Sequence, residues 1–135
     1  MKLDHVNLTV TNLATSIDWY RRVFGFEPVE RGVYRTRPWA ILRAGDALLA
    51  IYETAGREVP SGEQLARLGH HRVAHVGLRI TDERAWLETV ARERVNVDHV
   101  AEYPHSKSWY IVDPSGWELE VVLWNDDVVR FPAAA

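Results

Sequence analysis

The sequence predicts an α+β fold made of two similar halves, each containing a strand, a helix and two further strands. The first observation is an internal repeat: the segment HVNLTVTN at 5–12 returns as HVGLRITD at 75–82. The offset is 75 − 5 = 70, and without a gap it also places Trp39 opposite Trp109. The second observation is that each copy changes from the alternating period of a strand to the spacing of a helix. Because an internal repeat organises the whole fold, we expect both halves to share one topology.

The elements of the first half follow from periodicity and from residues that end helices and strands. Residues 5–11 alternate apolar and other side chains, which is typical of a half-buried strand. Thr11 or Asn12 can cap a helix, and Gly25 can end it. The predicted helix places apolar side chains on one face, at Leu13, Ile17, Tyr20 and Phe24. Two strands are then predicted at 39–43 and 47–53, around an Ala-Gly-Asp turn at 44–46.

The second half repeats this pattern, and the chain divides accordingly. We expect a strand at 73–80, a helix at about 82–94, and strands near 109–113 and 118–124 around a Pro-Ser-Gly turn. The linker contains a Ser-Gly-Glu-Gln sequence at 61–64 that is typical of a capping box at the start of a short helix. Together the segments are expected to form a single domain: a first module at 1–53, a linker at 54–72, a second module at 73–124 and a tail at 125–135.

Composition narrows the class of function. The chain has 135 residues, a net charge of −3 and no cysteine, which excludes disulfides and thiolate metal sites. The sequence has no stripe of basic residues of the kind that nucleic-acid-binding proteins carry, and no apolar run that is long enough to span a bilayer. The start of the chain is charged where a signal peptide would be apolar. We therefore expect a cytoplasmic protein that acts on a small molecule.

Three side chains in the repeat have the chemistry of metal ligands. His5 and His75 occupy equivalent positions on equivalent strands, and imidazole is the commonest metal ligand in proteins. Glu120 lies in the middle of an apolar strand, where a carboxylate is costly unless it is paired or bound to a metal. We interpret His5, His75 and Glu120 as the ligands of one divalent metal ion.

These histidines, the run NLATSIDWYRRVFGF at 12–26 and the run DPSGWELE at 113–120 resemble the vicinal oxygen chelate superfamily. This superfamily includes glyoxalase I, fosfomycin-modifying enzymes, extradiol dioxygenases, methylmalonyl-CoA epimerase and bleomycin-resistance proteins. The resemblance covers nearly the whole chain. It implies two β-α-β-β-β modules that form a cupped mixed sheet around a metal site.

The fourth ligand position distinguishes the chemistries within this superfamily. The repeat counterpart of Glu120 is Ala50 (120 − 70 = 50), where glyoxalase I-like enzymes are expected to carry a second glutamate. Three residues farther along the strand, Glu53 would point to the opposite face from Ala50, so it becomes a candidate fourth ligand only if a bulge turns it to the face of Ala50. Without Glu53, the two histidines and one carboxylate match the facial triad of oxygenases and favour Fe(II) or Mn(II). With it, a glyoxalase-like site holding Zn(II) or Ni(II) is the alternative.

A tyrosine and a histidine are the candidate catalytic residues. Tyr110 lies in YIVDPSGWELE, which looks like the extradiol dioxygenase signature and implies a donor near the substrate oxygen. The histidine that normally precedes this signature is missing, and we consider His105, or His99 farther away, as its replacement. The first hypothesis is thus an extradiol-dioxygenase-like enzyme, expected to be a homodimer. The alternatives are a lyase, isomerase or thiol transferase on the same ligands, and a metal-free module that binds a drug.

Overall fold

The computed structural model describes residues 1–131 as two compact units, each built on a four-stranded sheet. The first unit comprises residues 1–60 together with Asp113–Gly116, and the second comprises residues 61–112 and 117–131. The boundary at residue 60 lies inside the stretch that the sequence predicts as a linker. No helix within the described residues is both long enough and apolar enough to cross a bilayer.

Both units have the same topology, which confirms the α+β prediction and the repeated β-α-β-β-β module. The first sheet has the order β1-β4-β3-β2 and the second the order β5-β8-β7-β6. Within each sheet the first pair of strands is parallel and the other pairs are antiparallel. The elements of the first unit are β1 (Val6–Val10), α1 (Leu13–Phe24), β2 (Glu27–Tyr34), β3 (Arg37–Ala44) and β4 (Ala47–Glu53). Those of the second are α2 (Gly62–Arg67), β5 (Val76–Ile80), α3 (Glu83–Glu93), β6 (Val97–Tyr103), β7 (Ser106–Val112) and β8 (Glu118–Trp124), followed by a 3-10 turn at Asn125–Asp127.

The periodicity did not predict β2 and β6, which are strands that the superfamily resemblance implied. Both lie at the edge of their sheet, and most of their residues are exposed. A strand at an edge buries little, so its sequence keeps charged residues and loses the alternation that marks a half-buried strand. Pro28 and Gly32 within β2 weaken the pattern further.

Helix α1 is fixed at both ends by the residues that the sequence predicts. The side chain of Asn12 accepts a hydrogen bond of 2.9 Å from Thr15 N, and Gly25 ends the helix with a left-handed backbone at φ 71°. The buried face of α1 comprises Ser16, Ile17, Tyr20 and Val23. The buried apolar side chains of its sheet include Leu8, Val10, Leu42 and Ile51.

The sheet register shows that the two modules are not related by one constant offset. Gly25 and Arg94 are the equivalent left-handed caps of α1 and α3, and 94 − 25 = 69. In the sheets, Ile41 pairs with Ala50 as Tyr110 pairs with Glu120, so β3 and β7 are also related by 110 − 41 = 69. Helix α3 is one residue shorter than α1, and nine residues separate Tyr110 from Glu120 where eight separate Ile41 from Ala50. The offset of 70 therefore holds for the first and last strands of the module, whereas an offset of 69 holds between the end of the helix and the third strand.

This shift corrects the predicted equivalence of Trp39 and Trp109. At an offset of 69 the counterpart of Trp39 is Ser108, and a shift of one residue along a strand moves a side chain to the other face. Trp109 is 3% exposed and lies edge-on to Trp86 of α3, with 6.4 Å between ring centroids. Trp39 instead stacks against Tyr52 at 6.1 Å. The two tryptophans therefore have different surroundings.

In the loop that joins β7 to β8, residues Asp113–Gly116 belong to the first unit. The hydroxyl of Tyr20 donates a hydrogen bond of 2.9 Å to Oδ2 of Asp113, and both side chains are buried. The main-chain N–H of Thr11 donates to Oγ of Ser115 at 3.0 Å. The turn that the sequence predicts at 114–116 is thus also a structural part of the first module.

Candidate metal centre

One row of residues crosses the second sheet and carries the candidate site. Gly77, Glu120, Tyr110 and His99 are register partners on the four neighbouring strands β5, β8, β7 and β6. Register partners point to the same side of a sheet. The opposite side carries the buried residues Trp109, Ile111, Leu119 and Val121, together with Trp86 from α3. We call the side with Glu120, Tyr110 and His99 the Glu120 face.

Glu120 has a partner for each carboxylate oxygen. Its Oε2 lies 3.0 Å from Nε2 of His75, and its Oε1 accepts a hydrogen bond of 3.1 Å from the hydroxyl of Tyr110. Its side chain is only 18% exposed. Two of the three predicted ligands and the predicted catalytic tyrosine therefore meet within one unit.

Tyr110 is held in its protonated form. A hydrogen bond with Tyr103, burial, and the neighbouring carboxylate of Glu120 raise the pKa of Tyr110 above its ordinary value of 10. The phenol therefore remains a hydrogen-bond donor throughout the physiological pH range.

Both candidate histidines have a carboxylate beside the same ring nitrogen. Nδ1 of His75 lies 3.8 Å from Oε1 of Glu118, and Nδ1 of His5 lies 2.7 Å from Oδ2 of Asp4. At His5 this contact favours the tautomer that keeps its proton on Nδ1, which leaves the Nε2 lone pair for a metal. At His75 the distance to Glu118 is too long for a hydrogen bond, and it is Nε2 that contacts a carboxylate, at 3.0 Å from Glu120. His5 lies in the first unit, directly before β1, and is half exposed.

The donors on the Glu120 face fit a divalent cation. Two ligands at right angles, each about 2.1 Å from a cation, are about 3.0 Å apart. The separation of 3.0 Å between His75 Nε2 and Glu120 Oε2 matches this geometry, and it also suits the hydrogen bond that they make without metal. Among residues 1–131, no group of three or more histidine, cysteine, aspartate or glutamate side chains lies close enough together to hold a metal ion, so this match rests on two ligands.

His99 reaches this site through a β-bulge. Val97 pairs with Ile111 but His99 pairs with Tyr110, so Asp98 is an extra residue in β6. Without the bulge, Val97 and His99 would lie on the same face. With it, the ring of His99 stacks on that of Tyr110, with 4.3 Å between centroids and 10° between planes. Sequence spacing gave His99 only as an alternative because a bulge has no clear signal in the sequence.

The structure does not bring His105, the histidine predicted to be catalytic, to Tyr110. His105 lies in the turn between β6 and β7, where it stacks on Trp124 at 6.1 Å. Five residues along a strand separate it from Tyr110, which corresponds to about 17 Å between their Cα atoms. His105 lies closer to the signature in the sequence, but the register partner of Tyr110 on β6 is His99.

The candidate fourth ligand Glu53 is engaged elsewhere in the first unit. No bulge interrupts β4, so Glu53 and Ala50 lie on opposite faces of the sheet. Oε2 of Glu53 accepts a hydrogen bond of 2.8 Å from Leu13 N at the start of α1. This carboxylate therefore accepts from one of the N–H groups that a helix N-terminus leaves without a partner inside the helix, a role that strand periodicity does not indicate.

The sequence profile of the Glyoxalase/Bleomycin resistance protein/Dioxygenase superfamily matches residues 2–121 of the chain. The protein belongs to this superfamily. The match includes both candidate histidines, Tyr110 and Glu120. No curated protein sequence matches the chain.

Solved structures with a similar fold come from several branches of the superfamily. A glyoxylase/bleomycin resistance protein/dioxygenase domain from Frankia sp. EAN1pec is 19% identical with a TM-score of 0.77, covering 93% of this chain and 98% of the other. A mutant of the fosfomycin resistance protein FosX from Listeria monocytogenes is 14% identical with a TM-score of 0.68, covering 89% and 90%. Lactoylglutathione lyase from Agrobacterium tumefaciens is 22% identical with a TM-score of 0.64, covering 90% and 92%. At these identities the similarity establishes the fold alone.

Proposed function

We propose that this member of the superfamily is a divalent-metal-dependent enzyme that acts on a small substrate with two adjacent oxygens. The protein ligands in this proposal are His5, His75 and Glu120. The observation that carries it is the direct contact of Glu120 with both His75 and Tyr110. A partly buried pair of histidine and glutamate alone would not require a phenol on the second carboxylate oxygen.

The chain's own residues would position the substrate and hold protons. A bound divalent cation would act as a Lewis acid that lowers the pKa of the substrate's oxygens. Tyr110 fixes the orientation of Glu120 and keeps a hydroxyl proton with which it can form a hydrogen bond to a substrate oxygen. His99 packs flat on the Tyr110 ring and restricts its rotation.

The first choice of reaction is extradiol-dioxygenase-like cleavage of a ring with adjacent hydroxyls. The counterpart of Glu120 in the first module is Ala50, and the nearby Glu53 is bound to Leu13 N. A set of two histidines and one carboxylate leaves coordination positions for substrate and dioxygen, which favours Fe(II) or Mn(II).

The second candidate is a lyase, isomerase or thiol transferase on the same three ligands. It is favoured by the solved relatives, which include a lactoylglutathione lyase and a FosX in complex with Mn(II) and a dihydroxypropylphosphonic acid. In this case a water molecule would take the position that a second glutamate occupies in a four-ligand site, with Zn(II) or Ni(II) as further candidate metals.

The test begins with the metal content of protein purified without oxygen. One equivalent of metal is expected in the wild type, and His75→Ala and Glu120→Ala should each retain less than a tenth of it. His105→Ala is the matched control, because this histidine lies in the same unit but outside the site. Full occupancy in His75→Ala would contradict the proposed ligand set, and a wild type that binds no metal would favour a drug-binding module.

Activity then separates the two reaction classes. Oxygen uptake with a panel of catechols is expected for the first choice and should disappear in Glu120→Ala. Conversion of a glutathione hemithioacetal or of an epoxide, without oxygen uptake, would instead establish the second candidate.

A further inference from the structure

Arg79 lies on the Glu120 face, one row away from the candidate metal ligands. Gly77 is the register partner of Glu120, and Arg79 lies two residues farther along β5, beside Val122. Side chains two residues apart on a strand share a face. Two residues along a strand and one strand across correspond to about 8 Å between the Cα atoms of Arg79 and Glu120. Arg79 thus projects a cationic side chain from the same face of the sheet as Glu120, from a neighbouring strand.

The guanidinium of Arg79 is occupied by a carboxylate from the tail of the chain. Its Nη2 donates to both the side-chain carboxylate and the main-chain carbonyl oxygen of Asp127. Asp127 and its neighbour Asp126 both have left-handed backbones, with φ 54° and 55°. Residues other than glycine adopt this conformation at a cost, so contacts of the tail must maintain it.

The pair is exposed enough for another anion to replace its carboxylate. The side chain of Arg79 is 40% exposed and that of Asp127 58%. Exposed ion pairs of this kind contribute little to stability. A planar guanidinium binds any carboxylate or phosphonate group through the same donors.

We propose that Arg79 is a specificity-determining residue that binds an anionic group of the substrate, and that Asp127 occupies this position in its absence. The substrate would carry its adjacent oxygens at one end and a carboxylate or phosphonate at the other, about one ring apart. This inference rests on the proposed function, because Glu120 defines the reacting end of the ligand. When the substrate binds, its anionic group would replace the carboxylate of Asp127 on Arg79, and Asp127 would be released.

The test measures binding rather than turnover. The full-length protein, without metal and loaded with Mn(II), is titrated by calorimetry with 3,4-dihydroxybenzoate, with 3,4-dihydroxyphenylphosphonate and with neutral catechol. The wild type is expected to bind at least one of the charged probes tenfold or more tightly than catechol. Arg79→Gln should abolish this ratio without weakening catechol binding, and Asp127→Asn should tighten binding of the charged probe severalfold. Arg84→Gln is the matched control, because Arg84 is a highly exposed arginine of α3.

The same titrations distinguish the failure of this inference from that of the proposed function. His75→Ala should remove the gain in affinity that Mn(II) gives to all three probes and should leave the charge preference intact. A charge preference that persists in Arg79→Gln, or is unaltered by Asp127→Asn, would overturn the inference and reduce the ion pair to an anchor of the tail. Loss of the charge preference in Arg79→Gln without any effect of His75→Ala would support the anion site and contradict the metal ligands. If Arg79→Gln does not fold, Arg79→Lys and Asp127→Asn carry the test.

Discussion

Tyr110 and Glu120 are register partners on neighbouring antiparallel strands, and the phenol of Tyr110 donates to the carboxylate of Glu120 at 3.1 Å. The other oxygen of this carboxylate faces His75. Glu120 is therefore oriented from both sides before any ligand arrives. A group that is positioned in advance costs little to reorganise when a metal or substrate binds.

The variant Tyr110→Phe separates the role of the Tyr110 hydroxyl in turnover from the binding of the metal. Metal affinity should change less than about threefold, because the three ligands remain, whereas turnover should fall by about tenfold or more through loss of the hydrogen-bond donor. The measurement is a metal titration beside the kcat of the variant. Unchanged turnover would show that the tyrosine has only a structural role.

The two histidines of the β6–β7 hairpin region should differ in their effect on activity. His99→Ala removes the ring stacked on Tyr110, and kcat is expected to fall by about tenfold as the phenol becomes mobile. His105→Ala, far from the site, should stay within about twofold of the wild type. Equal effects of the two substitutions would contradict the role that the bulge at Asp98 gives to His99.

Substitutions at Glu53 and Ala50 test the fourth ligand position. Glu53→Ala should destabilise the protein by about 1 kcal/mol through loss of the bond to Leu13 N, while metal content stays unchanged. Ala50→Glu adds a carboxylate at the counterpart of Glu120, so metal should be retained at least as well while oxygenase turnover falls. The measurements are urea denaturation, metal content and kcat for both variants. If Glu53→Ala loses its metal and Ala50→Glu does not retain metal better than the wild type, four-ligand glyoxalase-like chemistry would be favoured instead.

The buried pair of Tyr20 and Asp113 should limit stability at alkaline pH. Burial first, and then the charge and hydrogen bond of Asp113, raise the pKa of Tyr20 well above its ordinary value of 10. Above pH 10 the unfolded chain releases this proton while the folded protein keeps it, so stability is present below pH 10 and is lost as pH rises further. Urea denaturation at pH 8 and pH 11 measures the loss. Tyr20→Phe should cost about 1–3 kcal/mol at pH 8 and show a shallower decline toward pH 11. An identical decline in both proteins would show that other groups cause it.

The caps of the two helices offer a matched pair of stability tests. Arg94 adopts the left-handed conformation at φ 53° that Gly25 adopts at the end of α1. Arg94→Gly should stabilise the protein by about 1 kcal/mol, and Gly25→Ala should destabilise it by about as much. Midpoints of urea denaturation measure both effects. A loss of stability in Arg94→Gly would indicate that the arginine side chain makes a contact that outweighs the backbone strain.

The sequence predicted the features that depend on local patterns. The equivalent histidines, the caps Asn12 and Gly25, and the capping box at Ser61 can all be identified without tertiary structure. The face of Glu53 was also predictable, since three residues along a regular strand reverse a side chain.

The features that it did not predict depend on pairing between strands. A residue deleted at the end of α3 and one added before β8 leave the ends of the repeat in register, so an ungapped comparison shows no error. The correct alignment of Trp39 with Ser108, and the contact of His99 with Tyr110, follow only from which residues pair. Likewise, nothing local indicates that Asp113 is the partner of Tyr20.

The bond between Tyr20 and Asp113 also has a consequence for biosynthesis. The two residues are 93 positions apart in the chain, yet both belong to the same unit. When the first module leaves the ribosome, the buried hydroxyl of Tyr20 lacks the carboxylate that it will bind, and that carboxylate arrives only after most of the second module has been made. A first module made alone would therefore bury the Tyr20 hydroxyl without this hydrogen-bond partner, at a cost to its stability.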